Sequence, residues 1–504
     1  MNLPMKTPMN TPIKTTTRAR KASLALLAPL APLLAAGTCH AAGAGAGTSA
    51  SAPARPNIVL ILVDDFGYEC ITANGGQSYK TPNVDKLAAT GIRFESCHVQ
   101  PLCTPTRVQL MTGMYNIRNY LNFGTLMRDQ TTFGNLLKKA GYATAIGGKW
   151  QLGRELDSPQ HFGFDDALLW QHTRRPARYA NPGLERNGKP LDYTHGEYGP
   201  TLVSDFALDF ITRHKDGPFF LYYPMMLTHS PFQPTPDSAN WDPTLKGEKA
   251  NNKPSNFRDM VAYHDKLTGQ LVAHLEKLGI RDNTLIIYLG DNGTGTNIMT
   301  RFKGADYKGG KGQTTMRGTH VPLIVNWPRG IKNPGVVYDD LVSSVDFLPT
   351  LCEAAGIAAP KNTDGVSFLP RVLGEKGTPR EWLYMWYSPR IGAGPRLKVD
   401  ECAFDNRYKL YRDGRLFDML KDFDEKHPIA LDASGASASD LALKATVKKL
   451  QGALDQFTNA RPKRLDDEYV QSFKGKGEGK GKKKGRAKSA EETQDEAEEE
   501  SGEW

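Results

Sequence analysis

The chain has 504 residues, 24% charged and 39% hydrophobic, which is the balance of a globular protein with room for more than one core. Its formal charge of +9 includes five positives before Ala41 (Lys6, Lys14, Arg18, Arg20 and Lys21) with no acid among them. The remainder is too mildly basic to argue for a nucleic-acid partner.

Those basic residues lead into ASLALLAPLAPLLAAG (Ala22 to Gly37) and small residues around Ala41. This is the layout of a secretory signal peptide over 1–41, followed by an Ala/Gly/Ser linker over 42–55. The apolar run is too short and too interrupted by proline to span a bilayer, so no integral membrane segment is expected. The expected destination is export, to the periplasm or beyond the cell. Loss of Cys39 with the signal leaves five of six cysteines, and an odd number in an exported protein leaves a thiol to explain.

From Asn57, NIVLILV is apolar on both faces and predicts a buried parallel strand. Asp64 and Asp65 fall at its carboxyl end, where open α/β sheets place ligands. VDKLAATG predicts a short helix closed by Gly91, and IRFESCHVQ a strand or loop. PLCTPTRVQLMTG (Pro101 to Gly113) comes next. Arg107 then lies one turn into a helix whose N-terminal amides face Cys103, an end that favours anions and thiolates. TFGNLLKKAG predicts a helix and YATAIGGK a strand that ends in Lys149.

Asp205 to Phe210 reads as helix, and PFFLYYPMMLTHSPF as a strand ended by His229. Arg258 to Leu278 has helical periodicity, and NTLIIYLGDNG mirrors the first strand by ending in Asp291-Asn292. Gly293 to Gly312 reads as a disordered Gly-rich loop, VPLIVNWP as a strand, and Asp340 to Gly356 as a helix closing a large domain over 56–370. A smaller domain over 371–470 carries strands at REWLYMWY and NRYKLYRDGRLFDMLKDF, a turn at Asp413-Gly414 and a helix near Leu441 to Phe457. The charged segment 471–504 lacks apolar residues and predicts disorder. The alternation of strand and helix predicts an α/β fold: a large, doubly wound, mostly parallel sheet domain with a smaller C-terminal α+β domain carrying an antiparallel sheet.

Asp64, Asp65, Asp291 and Asn292 offer only oxygen ligands, which suits calcium or magnesium rather than zinc or copper. With Lys149, Lys311 and Arg107 around it, such a cation neutralises the oxygens of a sulfate or phosphate ester. KGGKG near Lys311 is no P-loop: from Gly304 the spacing is one residue too long, and Lys311 is followed by glycine. An unmodified Cys103 fits poorly, because a soft thiolate does not suit a hard cation.

The motifs PNIVLILVDDFGY, CTPTR, GKWQLG, THSPF, LGDNG, GGKGQTT with THVPLIVNWP, and YKLYRDGRLFDMLKDFDEKHPIA span most of the chain. Together they resemble the formylglycine-dependent, arylsulfatase-like sulfatases of the alkaline phosphatase superfamily. The resemblance implies that a formylglycine-generating enzyme reads C-x-P-x-R and oxidises Cys103. It implies that Asp64, Asp65, Asp291 and Asn292 hold calcium (or magnesium) together with residue 103. It further implies that Arg107 steadies the formylglycine, that Lys149 and Lys311 bind sulfate, and that His229 protonates the leaving alcohol. One hydroxyl of the hydrated aldehyde attacks sulfur, and deprotonation of the other expels sulfate. The implied substrates are sulfated carbohydrates, with aryl sulfates as surrogates.

Two positions depart from the family. Gln151 stands where GKWHLG has histidine; glutamine orients a hydroxyl but cannot act as a base near neutral pH, so it is expected to position the diol. Met316-Arg317 replaces a frequent Glu-Gly, which makes Arg317 and His320 candidates for substrate contact. The competing functions are a phosphodiesterase or phosphonate hydrolase on the same scaffold, and a catalytically silent protein that binds sulfated polymers.

Overall fold

The computed structural model of the protein describes residues 55–247, 249–389, 399–430 and 441–474. The expected signal peptide, the linker up to residue 54 and the charged tail beyond 474 lie outside the described residues. All seven residues of strand β1 (Asn57–Val63) are buried. Its side chains alternate between two hydrophobic clusters: Ile58, Leu60 and Leu62 point into one, and Val59, Ile61 and Val63 into the other. Helix Cys103–Thr112 contributes to the first cluster, and helices Gly199–Arg213 and Phe257–Lys277 to the second. Both faces of the sheet are therefore covered, as a continuous apolar strand requires.

The remaining strands of this sheet are β2 (Ile92–His98), β3 (Ala143–Lys149), β4 (Asp166–Trp170), β5 (Gly183–Arg186), β6 (Lys189–Asp192), β7 (Phe219–Pro224) and β8 (Thr284–Gly290). After a separate hairpin of β9 (Met299–Phe302) and β10 (Ala305–Lys308), the chain returns to it with β11 (Leu323–Asn326) and β12 (Val337–Ser343). The ten strands run β12-β2-β11-β8-β1-β7-β3-β4-β5-β6. The central run β8-β1-β7-β3-β4 is parallel, and β11 and the β5-β6 hairpin are antiparallel to their neighbours. The mostly parallel, doubly wound expectation holds for this central run, from which the functional side chains emerge.

Three local expectations are corrected. The stretch read as a disordered loop contains the β9-β10 hairpin, turned by Lys303 and Gly304 at φ 47° and 83°. Two consecutive positive φ values make a tight hairpin turn, and Lys-Gly is a weaker signal for it than Asn-Gly. Asp340 to Ser343 belong to β12, where Leu341, Val342 and Ser343 pair with Ser96, Cys97 and His98; the helix occupies only Phe347–Ala354. Strand β7 stops at Pro224, which has no N–H for the ladder, so His229 lies five residues beyond the strand.

A four-stranded antiparallel sheet follows: β13 (Leu383–Tyr387), β14 (Asp400–Phe404), β15 (Tyr408–Tyr411) and β16 (Leu416–Asp418). One face packs Leu383, Met385, Tyr387 and Phe404 with Leu102 and Cys103, and the other packs Tyr384, Trp386 and Leu410 into the large core beside helix Leu441–Asp455. From β15, Lys409 is fully buried and pairs with Glu425 at 2.5 Å. It also donates to the Thr314 carbonyl at 2.7 Å, three residues from Lys311. A helix at Lys463–Lys474 had no counterpart in the sequence reading. The five described cysteines are all buried and none is in a disulfide, and no described helix is long and apolar enough to cross a membrane.

Candidate active site

Val63 and Gly290 are register partners in adjacent parallel strands, so the residues that follow them emerge side by side. Asp65 turns at φ 57°, and its N–H donates to Asp291 Oδ1 at 3.0 Å while Asn292 Nδ2 donates to Asp65 Oδ1 at 2.8 Å. All four residues are buried. Oxygens of Asp64 and Asp291 and the Cys103 sulfur lie within 4.8 Å of one another. Burial, reinforced by the Asp64 charge and only partly offset by Arg107 and Lys149, raises the Asp291 carboxyl to about 7. Burial alone would raise Asp64 as well, but Lys149, His229, Arg107 and Lys311 outweigh it and hold this carboxyl below the usual range.

This crowd of oxygens fits a hard divalent cation. Asn292 Oδ1 is buried with no hydrogen-bond donor, and Asp64 Oδ2 has no aligned one, its contact to Lys149 Nζ at 3.0 Å being a charge contact. A cation there would satisfy both oxygens and offset the burial and the Asp64 charge that raise Asp291.

Cys103 is the first residue of its helix, and Arg107 follows one turn later. The buried Arg107 guanidinium donates to Asp291 Oδ2 at 2.9 Å and to the Lys149 carbonyl at 3.0 Å. Lys149 ends β3, with Nζ 3.1 Å from Asp64 Oδ1 and 3.4 Å from Cys103 Sγ. Gly148 before it has φ 126°, and a Cβ there would lie 1.9 Å from the Pro224 carbonyl oxygen, so only glycine lets β3 pass β7 this closely.

Gln151 turns at φ 55°, and its Oε1 accepts from Cys103 Sγ at 2.9 Å and from Thr104 Oγ1 at 3.2 Å. The Thr104 hydroxyl accepts from Gly124 N–H at 3.1 Å, which commits its own proton to Gln151. The amide is thereby fixed with its acceptor end towards residue 103.

Lys311 Nζ donates to Asp65 Oδ2 at 3.0 Å and lies 3.0 Å from His229 Nε2. His229 Nδ1 lies 2.5 Å from the Ser230 carbonyl, so its proton sits on Nδ1 and Nε2 faces the site as an acceptor for Lys311. Tyr179 OH is within 2.9 Å of the Met226 carbonyl and 2.5 Å of the His229 carbonyl, bracing the loop after β7.

The structure thus gathers Asp64, Asp65, Cys103, Arg107, Lys149, Gln151, His229, Asp291, Asn292 and Lys311 at one edge of the sheet. Arg317 and His320 are engaged by other parts of the fold. Arg317 donates to Asp424 at 2.5 Å and lies over the Tyr307 and Phe423 rings at 4.5 and 5.2 Å. His320 stacks on Tyr68 at 4.0 Å and pairs with the Glu95 carbonyl, and burial lowers it to about 4. Sequence reasoning missed Thr104, Tyr179 and the neighbours Asp424 and Glu425. Those two hold the Lys311 loop at Arg317 and, through Lys409 and Tyr411, at Thr314. Nothing in their local sequence marks them, because their role arises from packing across more than 100 residues.

Buried carboxylates, two lysines and an arginine at the carboxyl edge of a doubly covered sheet define a hydrolase of anionic tetrahedral esters. The chain belongs to the sulfatase family: the family model described as Sulfatase matches residues 56–357, and one described as N-sulphoglucosamine sulphohydrolase, C-terminal, matches 314–453. As a member it is a sulfuric ester hydrolase. It is 33% identical to arylsulfatase A of Bos taurus over 386 residues, covering 68% of this chain and 72% of the relative. It is 26% identical to N-acetylglucosamine-6-O-sulfatase of Bacteroides thetaiotaomicron, covering 82% and 87%. Among solved structures, Ps i-CgsB in complex with k-i-k-neocarrahexaose has a TM-score of 0.67 at 26% identity, covering 83% of this chain and 100% of that one.

The pairing of Arg317 with Asp424 makes a prediction about the Lys311 loop. Arg317→Ala is expected to raise amide hydrogen exchange in the peptide spanning 309–317 roughly tenfold, a loss of about 1.4 kcal/mol of local stability. Unchanged exchange there would show that the loop is held without this pair.

Proposed function

We propose that this protein is an exported sulfatase that removes sulfate from glycans, accepts aryl sulfates as surrogates, and works through formylglycine at residue 103 beside a bound calcium. One observation carries the reading. The residue 103 side chain lies at a helix N-terminus between Lys149 Nζ and Gln151 Oε1, beside the Asp64 and Asp291 carboxylates. In that position the sulfur stands in for the attacking oxygen of a hydrated aldehyde. The glycan assignment is supported by the relative named for N-acetylglucosamine-6-O-sulfate cleavage and by the neighbour bound to a carrageenan oligosaccharide.

Asp64, Asp65, Asp291 and Asn292 would hold calcium, which supplies positive charge to the sulfate oxygens and to the nucleophile. Lys149 and Lys311 neutralise further oxygens of the ester, in a site where burial strengthens each contact. Arg107 holds the helix bearing residue 103 against Asp291. Gln151, its oxygen fixed by Thr104, accepts a hydrogen bond from the nucleophile and sets its direction. His229 would deliver a proton to the leaving alcohol from Nε2 in its doubly protonated form, in which Lys311 no longer donates to that nitrogen and remains its charged neighbour. Cys103, Pro105 and Arg107 are fully buried, so a formylglycine-generating enzyme has to read the motif before the chain folds.

A sulfatase is expected to show a kcat/KM for aryl sulfates at least 100-fold above that for the matching phosphate diester, about 2.7 kcal/mol of transition-state preference. A preference for the diester would assign the site to phosphoryl transfer instead. For Gln151, replacement by alanine is expected to lower kcat roughly tenfold, the loss of one buried hydrogen bond. Gln151→His is expected to change single-turnover sulfate release by less than about tenfold; a gain of several hundredfold would mean that the native residue cripples the site.

A further inference from the structure

Beside the catalytic residues lies a groove of about 300 Å³, lined by Tyr79, Pro254, Ser255, Arg258, Asn297 and Met299 among others. Its walls come from the connections that leave the carboxyl ends of β1, β7 and β8, the same strands that supply Asp64, His229 and Asp291. The groove and the catalytic centre therefore lie along the same carboxyl edge of the sheet. They share a wall. The Thr294 carbonyl accepts the Lys311 N–H at 3.0 Å, and Asn297, three residues on, lines the groove. Three residues span at most about 11 Å, which is within reach of a neighbouring unit of one oligosaccharide.

The lining matches an anionic sugar. Arg258 is exposed and pairs with no acid among the described residues, whereas nearby Arg301 and Lys266 are paired with Asp306 and Asp237. A planar guanidinium with unused donors suits a sulfate or a carboxylate. Tyr79 is half-buried and packs edge-on against Phe257 at 5.3 Å, so its ring is held in place, and Met299 is 59% exposed. An anchored aromatic ring and a thioether offer the apolar contact that a sugar ring makes, and the volume is at the lower end for small-ligand sites, enough for a single unit.

We propose that this groove is a subsite for an anionic sugar adjacent to the one that loses sulfate, with Arg258 reading its sulfate or carboxylate and Tyr79 its ring. The proposal rests on the glycan-sulfatase reading. It gives the enzyme a preference for substrates charged on consecutive units over isolated sulfated sugars.

The test compares the full-length, mature enzyme with Arg258→Ala on 4-nitrophenyl sulfate and on tetrasaccharides from heparin, chondroitin 6-sulfate and ι-carrageenan. The variant is expected to raise KM roughly tenfold for the best tetrasaccharide and to leave aryl sulfate kinetics unchanged, with partial rescue by Arg258→Lys. Comparison with the sulfated monosaccharide and with carboxyl-reduced heparin tetrasaccharide tells which anion is read. Equal effects on aryl sulfate and tetrasaccharide, or no effect on either, overturn the subsite while leaving the sulfatase reading intact. Hydrolysis of aryl sulfate but of none of the tetrasaccharides overturns the glycan reading, and the subsite with it.

Discussion

Three carboxylates brought together out of water repel one another, and the architecture around Asp64, Asp65 and Asp291 is organised to compensate them. Each receives a cation from a different part of the chain. Lys149 arrives on β3 to meet Asp64, Arg107 from the helix that starts at Cys103 to meet Asp291, and Lys311 from the loop after β10 to meet Asp65. The parallel ordering of β8, β1, β7 and β3 makes this convergence possible, because all four strands discharge their ends at one edge. The compensation leaves room for a further positive charge: Asn292 Oδ1 is buried without a donor, and burial together with the Asp64 charge raises the Asp291 carboxyl. A divalent cation, with an anionic substrate group beside it, would complete this electrostatic balance.

The C-terminal sheet is part of this arrangement rather than an appendage. Its face closes over Leu102 and Cys103, and its buried Lys409–Glu425 pair reaches the loop that carries Lys311. A buried ion pair of this kind contributes little net stability over an apolar replacement, since desolvation offsets its attraction. Its value here is geometric: Lys409 and Tyr411 engage the carbonyl and hydroxyl of Thr314, and Arg317 fastens the other end of the loop to Asp424.

The central sheet and the grouping of the candidate site residues were legible in the sequence, because apolar runs ending in Asp64-Asp65, Lys149 and Asp291-Asn292 carry both strand and site signals. The assignments that failed were those in which tertiary pairing overrides local pattern. Asp340 to Ser343 read as helix but complete a parallel ladder with β2, and the Lys303-Gly304 turn was hidden within a glycine-rich run. Arg317 was a candidate substrate contact because Met316-Arg317 replaces a frequent Glu-Gly of the family. Asp424, more than 100 residues on, decides its role, and no spacing rule reveals that partner.

Gln151 shows how the site works without the family's histidine. An acceptor oxygen, fixed by Thr104, faces the residue 103 side chain, which is the arrangement for orienting a hydroxyl rather than removing its proton. That geometry suits the hydroxyl of the hydrated formylglycine proposed at residue 103. The most direct measurement is the mass of the proteolytic peptide containing residue 103, in protein purified from its native host. The account predicts formylglycine or its hydrate at that position, whereas unmodified cysteine in catalytically active protein would contradict it.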